Sequence, residues 1–201
     1  NDIYGENRGD VEFFDESYCG YIDSNTLRAG YPESKRCGEA LCQAYKKQEN
    51  LDVVIPRFTR SYGPTMLKTD TKAISQFIKK AVDGKNIVLK SAGTQYYSYT
   101  YVADAVTGFL TVLLKGESGE AYNIADEASD IMLKDLAKII ADFAGKEVVF
   151  ELPNETEKAG YSKATKARLD GSKLKKLGWK ARYDIKQGLE RTMKMLIEIN
   201  E

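Results

Sequence analysis

Stretches of the chain in which apolar residues recur with the period of a helix alternate with stretches that have the apolar pattern of a strand. The first helix is predicted from Pro32 to about Gln48 by apolar side chains three or four residues apart: Cys37, Ala40, Leu41, Ala44 and Tyr45. Pro32 suits the first helical turn, where its missing N–H is not needed. Residues 53–55 are a β-branched run without alternation, which predicts a strand buried on both faces of a parallel sheet. This strand is expected to end near Pro56.

The same alternation continues to the carboxyl end. Helices are predicted at residues 71–82, 102–114, 133–144, 172–177 and 185–199, and strands at residues 87–89, 121–124 and 148–150. Four tyrosines with a period of two predict a further strand that packs one face: Tyr96, Tyr97, Tyr99 and Tyr101. Residues 1–30 show no clear apolar period and are predicted to form a long surface loop. Strands separated by helices indicate an α/β fold with right-handed crossovers.

Composition and charge narrow the function classes. The 201 residues include 30 Lys and Arg against 30 Asp and Glu, so no net field attracts nucleic acid or a membrane surface. The longest apolar run, residues 102–114, contains Asp104 and is too short to span a bilayer. No basic leader precedes an apolar stretch, so a cytoplasmic location is expected. Three cysteines fit a reducing compartment, and Cys37 and Cys42 are interpreted as small core residues.

The sequence contains no histidine, which limits its chemistry. Triads and zinc sites that need imidazole are excluded within these residues, and no metal site is predicted. Proton transfer must then use Tyr, Lys, Asp or Glu. Tyr31 and Lys35 lie one helical turn apart, so the phenol and the ammonium share a face. A nearby ammonium favours phenolate over phenol, which makes a tyrosine a workable base.

Several motifs accompany this pair in a fixed order. They are residues 2–5 (DIYG), 57–64 (RFTRSYGP), 99–106 (YTYVADAV), 120–124 (EAYNI) and 169–174 (LDGSKL). In this order and at these spacings, the chain resembles the extended short-chain dehydrogenase/reductases that act on nucleotide sugars, the NAD-dependent epimerase/dehydratase family. The resemblance covers essentially the whole chain but only the later part of such an enzyme.

The resemblance implies a partial Rossmann-type parallel sheet, made of the later strands and helices, plus a smaller mixed α/β substrate-binding lobe. Residues 1–64 would complete the dinucleotide-binding domain. Residues 65–201 would be mainly substrate-binding, with about 100–125 returning to the Rossmann sheet. The glycine-rich turn that cradles the dinucleotide pyrophosphate does not occur here, so an amino-terminal portion is expected to be missing. The chain as given is expected to bind NAD weakly or not at all.

The resemblance also assigns roles to single residues. Tyr31 would be the acid/base that acts on a sugar hydroxyl, and Lys35 would hold the nicotinamide ribose and tune Tyr31. Thr59 matches a position whose backbone often lies against the nicotinamide. Asp2 falls where dehydratases and decarboxylases tend to keep an acidic residue; a turn hydrogen bond is the alternative for this side chain.

Four positions bear on the substrate. Arg60 replaces the usual Asn, so a guanidinium is available there for phosphate or carboxylate. Tyr97 stands where an Arg often contacts the diphosphate, and we interpret the positive charge lost there and gained at Arg60 as a compensating swap. Lys90 replaces an aromatic residue that commonly packs near the nucleobase of the substrate. Arg168 is a candidate phosphate ligand, with a surface role as the alternative.

The implied function is an NAD(P)-dependent nucleotide-sugar epimerase, dehydratase or decarboxylase, with NAD or NADP as cofactor. Its partner would be a nucleotide-diphosphate sugar. A reductase of the same superfamily on a small carbonyl compound and a non-catalytic binding fragment are the alternatives. The intact enzyme is expected to be a homodimer through the helix of Tyr31 and Lys35, although its apolar stripe would equally explain packing within one chain.

Overall fold

The computed structural model describes residues 2–151 and 166–200. Within these residues the helices are α1 Gly30–Glu49, α2 Ala73–Val82, α3 Val102–Lys115, α4 Leu133–Phe143, α5 Ser172–Lys176 and α6 Ile185–Asn200. The strands are β1 Ile55–Phe58, β2 Arg60–Tyr62, β3 Ile87–Leu89, β4 Tyr96–Tyr101, β5 Ala121–Ile124, β6 Asp130–Met132, β7 Val148–Phe150 and β8 Lys166–Ala167. Two short 3-10 helices cover Asp2–Tyr4 and Glu127–Ser129.

The strands pair mostly in parallel. β1 pairs with β5, β2 with β4, and β3 with β7, all parallel. β4 also pairs with β6 antiparallel and with β8 parallel, so it is the central strand of its sheet. The predicted α/β fold is confirmed. Within the described residues no helix is long and apolar enough to cross a membrane.

Two apolar clusters hold these elements together. The larger one joins β4 to α2, α4 and α6 through side chains that are almost fully inaccessible: Tyr99, Ile78, Leu136, Leu189 and Met193. The smaller one packs β5, α3 and α5 together through Ile124, Val112 and Leu174. Helices therefore cover sheet faces that the alternating apolar pattern makes hydrophobic.

The strand expected at residues 53–55 is wrong in position, because β1 runs from Ile55 to Phe58 and includes Pro56. Toward β5, the hydrogen bond is made by Ile55, the residue before Pro56: its N–H donates to the Glu120 carbonyl. Pro56 can therefore occupy the strand without removing that hydrogen bond.

The segment before α1 is irregular, as expected, but it is not only a surface loop. Tyr4 and Phe14 are each 1% exposed and stack on one another, with ring centroids 5.0 Å apart. An isolated bridge joins Phe14 to Leu169, near the other end of the chain. The core position of both rings depends on contacts far away in sequence, which no local period could indicate.

Two further predictions about burial are wrong. Cys37 is exposed and Cys42 is only partly buried, and α1 has no buried residue anywhere along its length. The apolar stripe of α1 therefore does not pack within the described chain. In β4, Ser98 and Thr100 are buried as well as the alternate tyrosines, so both faces of this strand are covered.

Candidate active site

Helix α1 brings Tyr31 and Lys35 together at its first turn. Pro32 occupies this turn, and the Glu33 N–H donates to the Ala29 carbonyl. The Lys35 ammonium lies over the Tyr31 ring, with Nζ 5.0 Å from the ring centroid. Tyr31 is 60% exposed, so its hydroxyl is accessible to a ligand. The phenol and the ammonium therefore share one face of α1, as their spacing predicted.

An open cavity of about 590 Å³ lies beside Tyr31. Three of the sequence-predicted residues line it: Asp2, Tyr31 and Arg60. Asp2 comes from the first 3-10 helix, Tyr31 from α1 and Arg60 from β2. The cavity thus combines a carboxylate, a phenol and a guanidinium, from elements that are separated in sequence.

The wall of the cavity includes a segment that the sequence reasoning did not single out. Polar and aromatic side chains of residues 20–29 contribute to it, including Tyr21, Asp23, Thr26 and Arg28. The backbone of this segment lies very close to the backbone at Gly5. A Cβ added to Gly5 would lie only 2.6 Å from the Tyr21 carbonyl oxygen. The only sequence signal was the density of glycine and short polar residues around residues 20–30.

Arg60 is held by stacking, and it forms no ion pair with another described residue. Its guanidinium carbon lies 3.6 Å from the centroid of the Tyr97 ring. Its Nη1 is buried and has no hydrogen-bond partner among the described residues. Burial raises the pKa of the neighbouring Tyr99 phenol to about 12, although the positive charge of Arg60 opposes this shift. The guanidinium therefore retains donor capacity that an anionic ligand could use.

Lys35 and the remaining predicted residues do not line this cavity. Thr59 is buried, and its hydroxyl lies 2.6 Å from the Thr100 hydroxyl, which ties β4 to the residue between β1 and β2. Tyr97 is buried beneath Arg60, so it supports the site from behind. Lys90 is exposed just after β3 and is not among the lining residues. Their proposed ligand contacts stay predictions.

Arg168 also lies outside the cavity. Its guanidinium stacks on Phe13 and Tyr96, at 4.2 and 4.4 Å from the ring centroids. It pairs with Glu12 at 2.6 Å. It directly follows Ala167, the last residue of β8, which does line the cavity. In this structure Arg168 joins β8 to the segment before α1.

A family model described as the NAD dependent epimerase/dehydratase family matches residues 1–125. UDP-glucuronic acid decarboxylase 1 of Xenopus tropicalis is 28% identical over 96% of this chain and 44% of its own length. UDP-glucuronic acid decarboxylase 6 of Arabidopsis thaliana is 30% identical over 87% of this chain and 49% of its own length. The chain therefore spans about half the length of these curated relatives.

Solved structures show the same fold. UDP-glucose 4-epimerase of Thermotoga maritima, crystallised with UDP-glucose, superposes with a TM-score of 0.84 at 23% identity, over 98% of this chain and 61% of the other. dTDP-glucose 4,6-dehydratase of Bacillus anthracis, in complex with NAD, gives a TM-score of 0.80 at 24% identity, over 100% of this chain and 60% of the other. Both comparisons confirm the predicted Rossmann-type α/β fold.

Proposed function

Because the chain belongs to the NAD-dependent epimerase/dehydratase family, we propose that it is the catalytic and substrate-binding half of a nucleotide-sugar epimerase, dehydratase or decarboxylase. The observation that carries this proposal is that Tyr31, which pairs with Lys35, lines one cavity together with Asp2 and Arg60. Named relatives act on UDP-glucuronic acid, and a structural neighbour binds UDP-glucose. A nucleotide-diphosphate sugar is therefore the substrate class that we assign.

The residues of this chain divide the work of proton transfer and binding. Tyr31 removes a proton from a sugar hydroxyl, and the Lys35 ammonium stabilises the phenolate that does so. When NAD is bound, it supplies a reversible hydride acceptor for the sugar carbon that carries this hydroxyl. Asp2, which also lines the cavity, moves a second proton after the first step. Arg60 holds an anionic group of the substrate.

The residues present fit the nicotinamide end of the cofactor. Tyr31 and Lys35 are both exposed on α1, and Lys35 would hold the hydroxyls of the nicotinamide ribose. A glycine-rich pyrophosphate turn is not found in these 201 residues, so tight NAD binding needs groups outside them. Within the described residues β1 pairs only with β5, which leaves its other edge open to a further parallel strand.

The proposal extends to domain organisation, assembly and location. Residues 1–64 and about 100–125 belong to the dinucleotide-binding sheet, and the rest mainly to the substrate lobe.

The exposed stripe of α1 pairs with a second copy, giving a homodimer of the intact enzyme. Leu41 and Tyr45 are 53% and 54% exposed. Exposing large apolar side chains to water is unfavourable, and a second copy packed on α1 would cover them. Free cysteines support a cytoplasmic location.

A substrate panel tests the assigned function. The NAD-loaded gene product that contains this chain is incubated with UDP-glucuronic acid, UDP-glucose and dTDP-glucose, and sugar products are followed by NMR. Conversion of at least one nucleotide sugar is expected, together with a higher unfolding midpoint in its presence. Turnover and stabilisation by small carbonyl compounds alone would contradict the proposal and favour a reductase instead. Ligand stabilisation without any turnover would indicate a non-catalytic binding protein.

A further inference from the structure

Helix α1 is held to the described chain by polar contacts along one stripe. The Arg36 guanidinium donates to the Ile3 and Gly20 carbonyl oxygens, at 2.9 and 2.6 Å. Further along the helix, Gln43 and Lys46 donate to the carbonyl oxygens of Gly119 and Ser118, at 2.7 and 2.6 Å. Since no residue of α1 is buried, apolar packing within the described chain does not fix its position.

The strongest contact in this stripe is a bidentate ion pair between Glu39 and Arg57. Arg57 Nε and Nη2 lie 2.8 and 2.6 Å from the two carboxylate oxygens of Glu39. The side chains are only 14% and 21% exposed, which is well inside the surface. Two parallel N–H···O bonds between planar groups fix orientation as well as distance. A surface pair of long, mobile side chains would not do this.

The other donors of Arg57 reach the 3-10 helix that carries Asp2. Nη1 donates to the Tyr4 hydroxyl at 3.0 Å and to the Glu16 carbonyl at 2.9 Å. Tyr4 in turn donates to the Asn123 side chain in β5 at 2.5 Å. Burial works against the charged form of Arg57, but the hydrogen bonds that it donates to Glu39 and Tyr4 together raise its pKa. The guanidinium is thus a permanent cation at the junction of three elements.

Glu39 also lies on the same helical face as the proposed proton-transfer pair. Tyr31, Lys35 and Glu39 follow each other at intervals of four residues, so each stands one turn above the last. Rotation of α1 about its axis would turn all three together. An anchor at Glu39 therefore sets the direction in which Tyr31 faces.

We propose that the Arg57–Glu39 pair positions the catalytic groups, fixing α1 and the Asp2 turn so that Tyr31 and Asp2 face one cavity. The inference rests on the proposed function, because it concerns the geometry of that reaction. Neither Arg57 nor Glu39 lines the cavity, so both act through other residues. A displacement of about 1 Å at the reacting groups is enough to lower turnover about a hundredfold.

A double-variant comparison separates positioning from simple stabilisation. Removing one partner, as in Arg57→Met or Glu39→Leu, leaves the other polar group unpaired and should lower the unfolding midpoint by about 5 °C or more. The combined variant Arg57→Met/Glu39→Leu removes both charges and should recover at least half of that loss, since an apolar pair can replace an ion pair. Its kcat should nevertheless stay about tenfold or more below wild type, with KM changed less than about threefold.

Hydrogen exchange supplies a readout that does not depend on activity. Amides of residues 33–40 should exchange about tenfold faster in the combined variant than in the wild-type protein, because the anchor of the helix is gone. Glu33→Gln is the matched control, since Glu33 lies on the same helix and contacts Arg36 only at 3.9 Å. This control should leave exchange and kcat unchanged.

The outcomes distinguish the two proposals. If the combined variant regains both stability and wild-type kcat, or if exchange in α1 does not change, the pair has no positioning role. If the wild-type protein and the Glu33→Gln control convert no nucleotide sugar, the proposed function itself fails. In that case the exchange measurement alone decides whether the pair holds α1.

Discussion

At the scale of single residues, Arg60 is the side chain that bears most directly on substrate choice. It stacks on Tyr97, lines the cavity and keeps a buried donor without a partner among the described residues. An unsatisfied buried donor costs about 1–3 kcal/mol, and a ligand acceptor can remove that cost. Stacking also reduces the freedom that the guanidinium loses when it binds an anion.

Replacing Arg60 by Gln should weaken binding of a nucleotide sugar by about tenfold or more, because the charge and the bidentate donor set are lost. Isothermal titration with the intact enzyme measures this change. Arg191→Gln is a suitable control, since Arg191 also stacks on a tyrosine, Tyr183, but lies on α6 away from the cavity. Equal affinities of the Arg60 and Arg191 variants would show that Arg60 does not contact the ligand.

A second residue-scale prediction concerns the wall of the cavity. Gly5→Ala should lower the free energy of unfolding by about 2–4 kcal/mol, because Gly5 has φ +71° and a Cβ would meet the Tyr21 carbonyl oxygen. Gly9→Ala should cost only about 1 kcal/mol, since Gly9 has φ +88° but open space around it. Urea unfolding of both variants gives the difference. Equal losses would mean that the close approach at Gly5 is unimportant.

At the scale of elements, the Asp130 side chain lies where β6 pairs with β4, and its carboxyl group is partly buried. Burial raises the pKa of Asp130 to about 6, although a hydrogen bond from Ser98 at 2.5 Å opposes this shift. The protonated form is therefore favoured in the folded protein relative to the unfolded chain. Between about pH 4 and pH 6 the folded state binds more protons, so stability falls as the pH rises.

Asp130→Asn should remove this dependence. The wild-type free energy of unfolding should decrease by about 1–2 kcal/mol between pH 4 and pH 6 on account of this group, after allowance for its partial exposure. The Asn variant should show a flatter profile over that range, measured by urea unfolding at several pH values. Asp83→Asn, at an exposed carboxyl after α2, should leave the profile as it is. An unchanged profile in Asp130→Asn would contradict this account.

The sequence predicted the elements whose signals are local. Helices α2 to α4 and strands β3, β5 and β7 lie within two residues of their expected bounds, because each carries its own apolar period. Strands β2, β6 and β8 have only two or three residues and exist because β4 offers them partners. Strands β3 and β7 are equally short but wholly apolar, whereas β2, β6 and β8 each contain a polar or charged residue, so no apolar run marks them.

The site divides in the same way. The spacing of Tyr31 and Lys35 is local to one helix, so it could be found from the sequence alone. The resemblance added Asp2 and Arg60, which the structure places at the same cavity. The Arg57–Glu39 pair joins β1 to α1 across 18 positions, and ordinary charged residues at that separation give no signal.

At the scale of the whole molecule, apolar surface remains uncovered on both helices that flank the β1–β5 pair. On α1 it includes Leu41 and Tyr45, and on α3 it includes Phe109, Leu110 and Leu113. No residue of this 20-residue helix is buried, so α1 gains little from apolar packing against the described residues, and its attachment to them is mainly polar. The proposed dimer and the proposed further strand beside β1 would cover different parts of this surface.

If the intact enzyme forms the proposed homodimer, Leu41→Asp should convert it into monomers, because a carboxylate would be buried against the partner's apolar stripe. Sedimentation velocity at micromolar concentration measures the mass. Leu67→Asp, at a leucine that is 72% exposed outside the helices, should leave the mass unchanged. If Leu41→Asp also leaves the mass unchanged, α1 is not the dimer interface.

The most direct test of the central claim is the turnover of Tyr31→Phe compared with Tyr45→Phe. Both tyrosines lie on α1 with similar exposure, 60% and 54%, and both substitutions keep the ring and remove only the hydroxyl. In the NAD-loaded intact enzyme, Tyr31→Phe should lower kcat for the converted nucleotide sugar by about a hundredfold or more, while Tyr45→Phe stays near wild type. Comparable kcat values for the two variants would show that the Tyr31 hydroxyl is not the proton-transfer group.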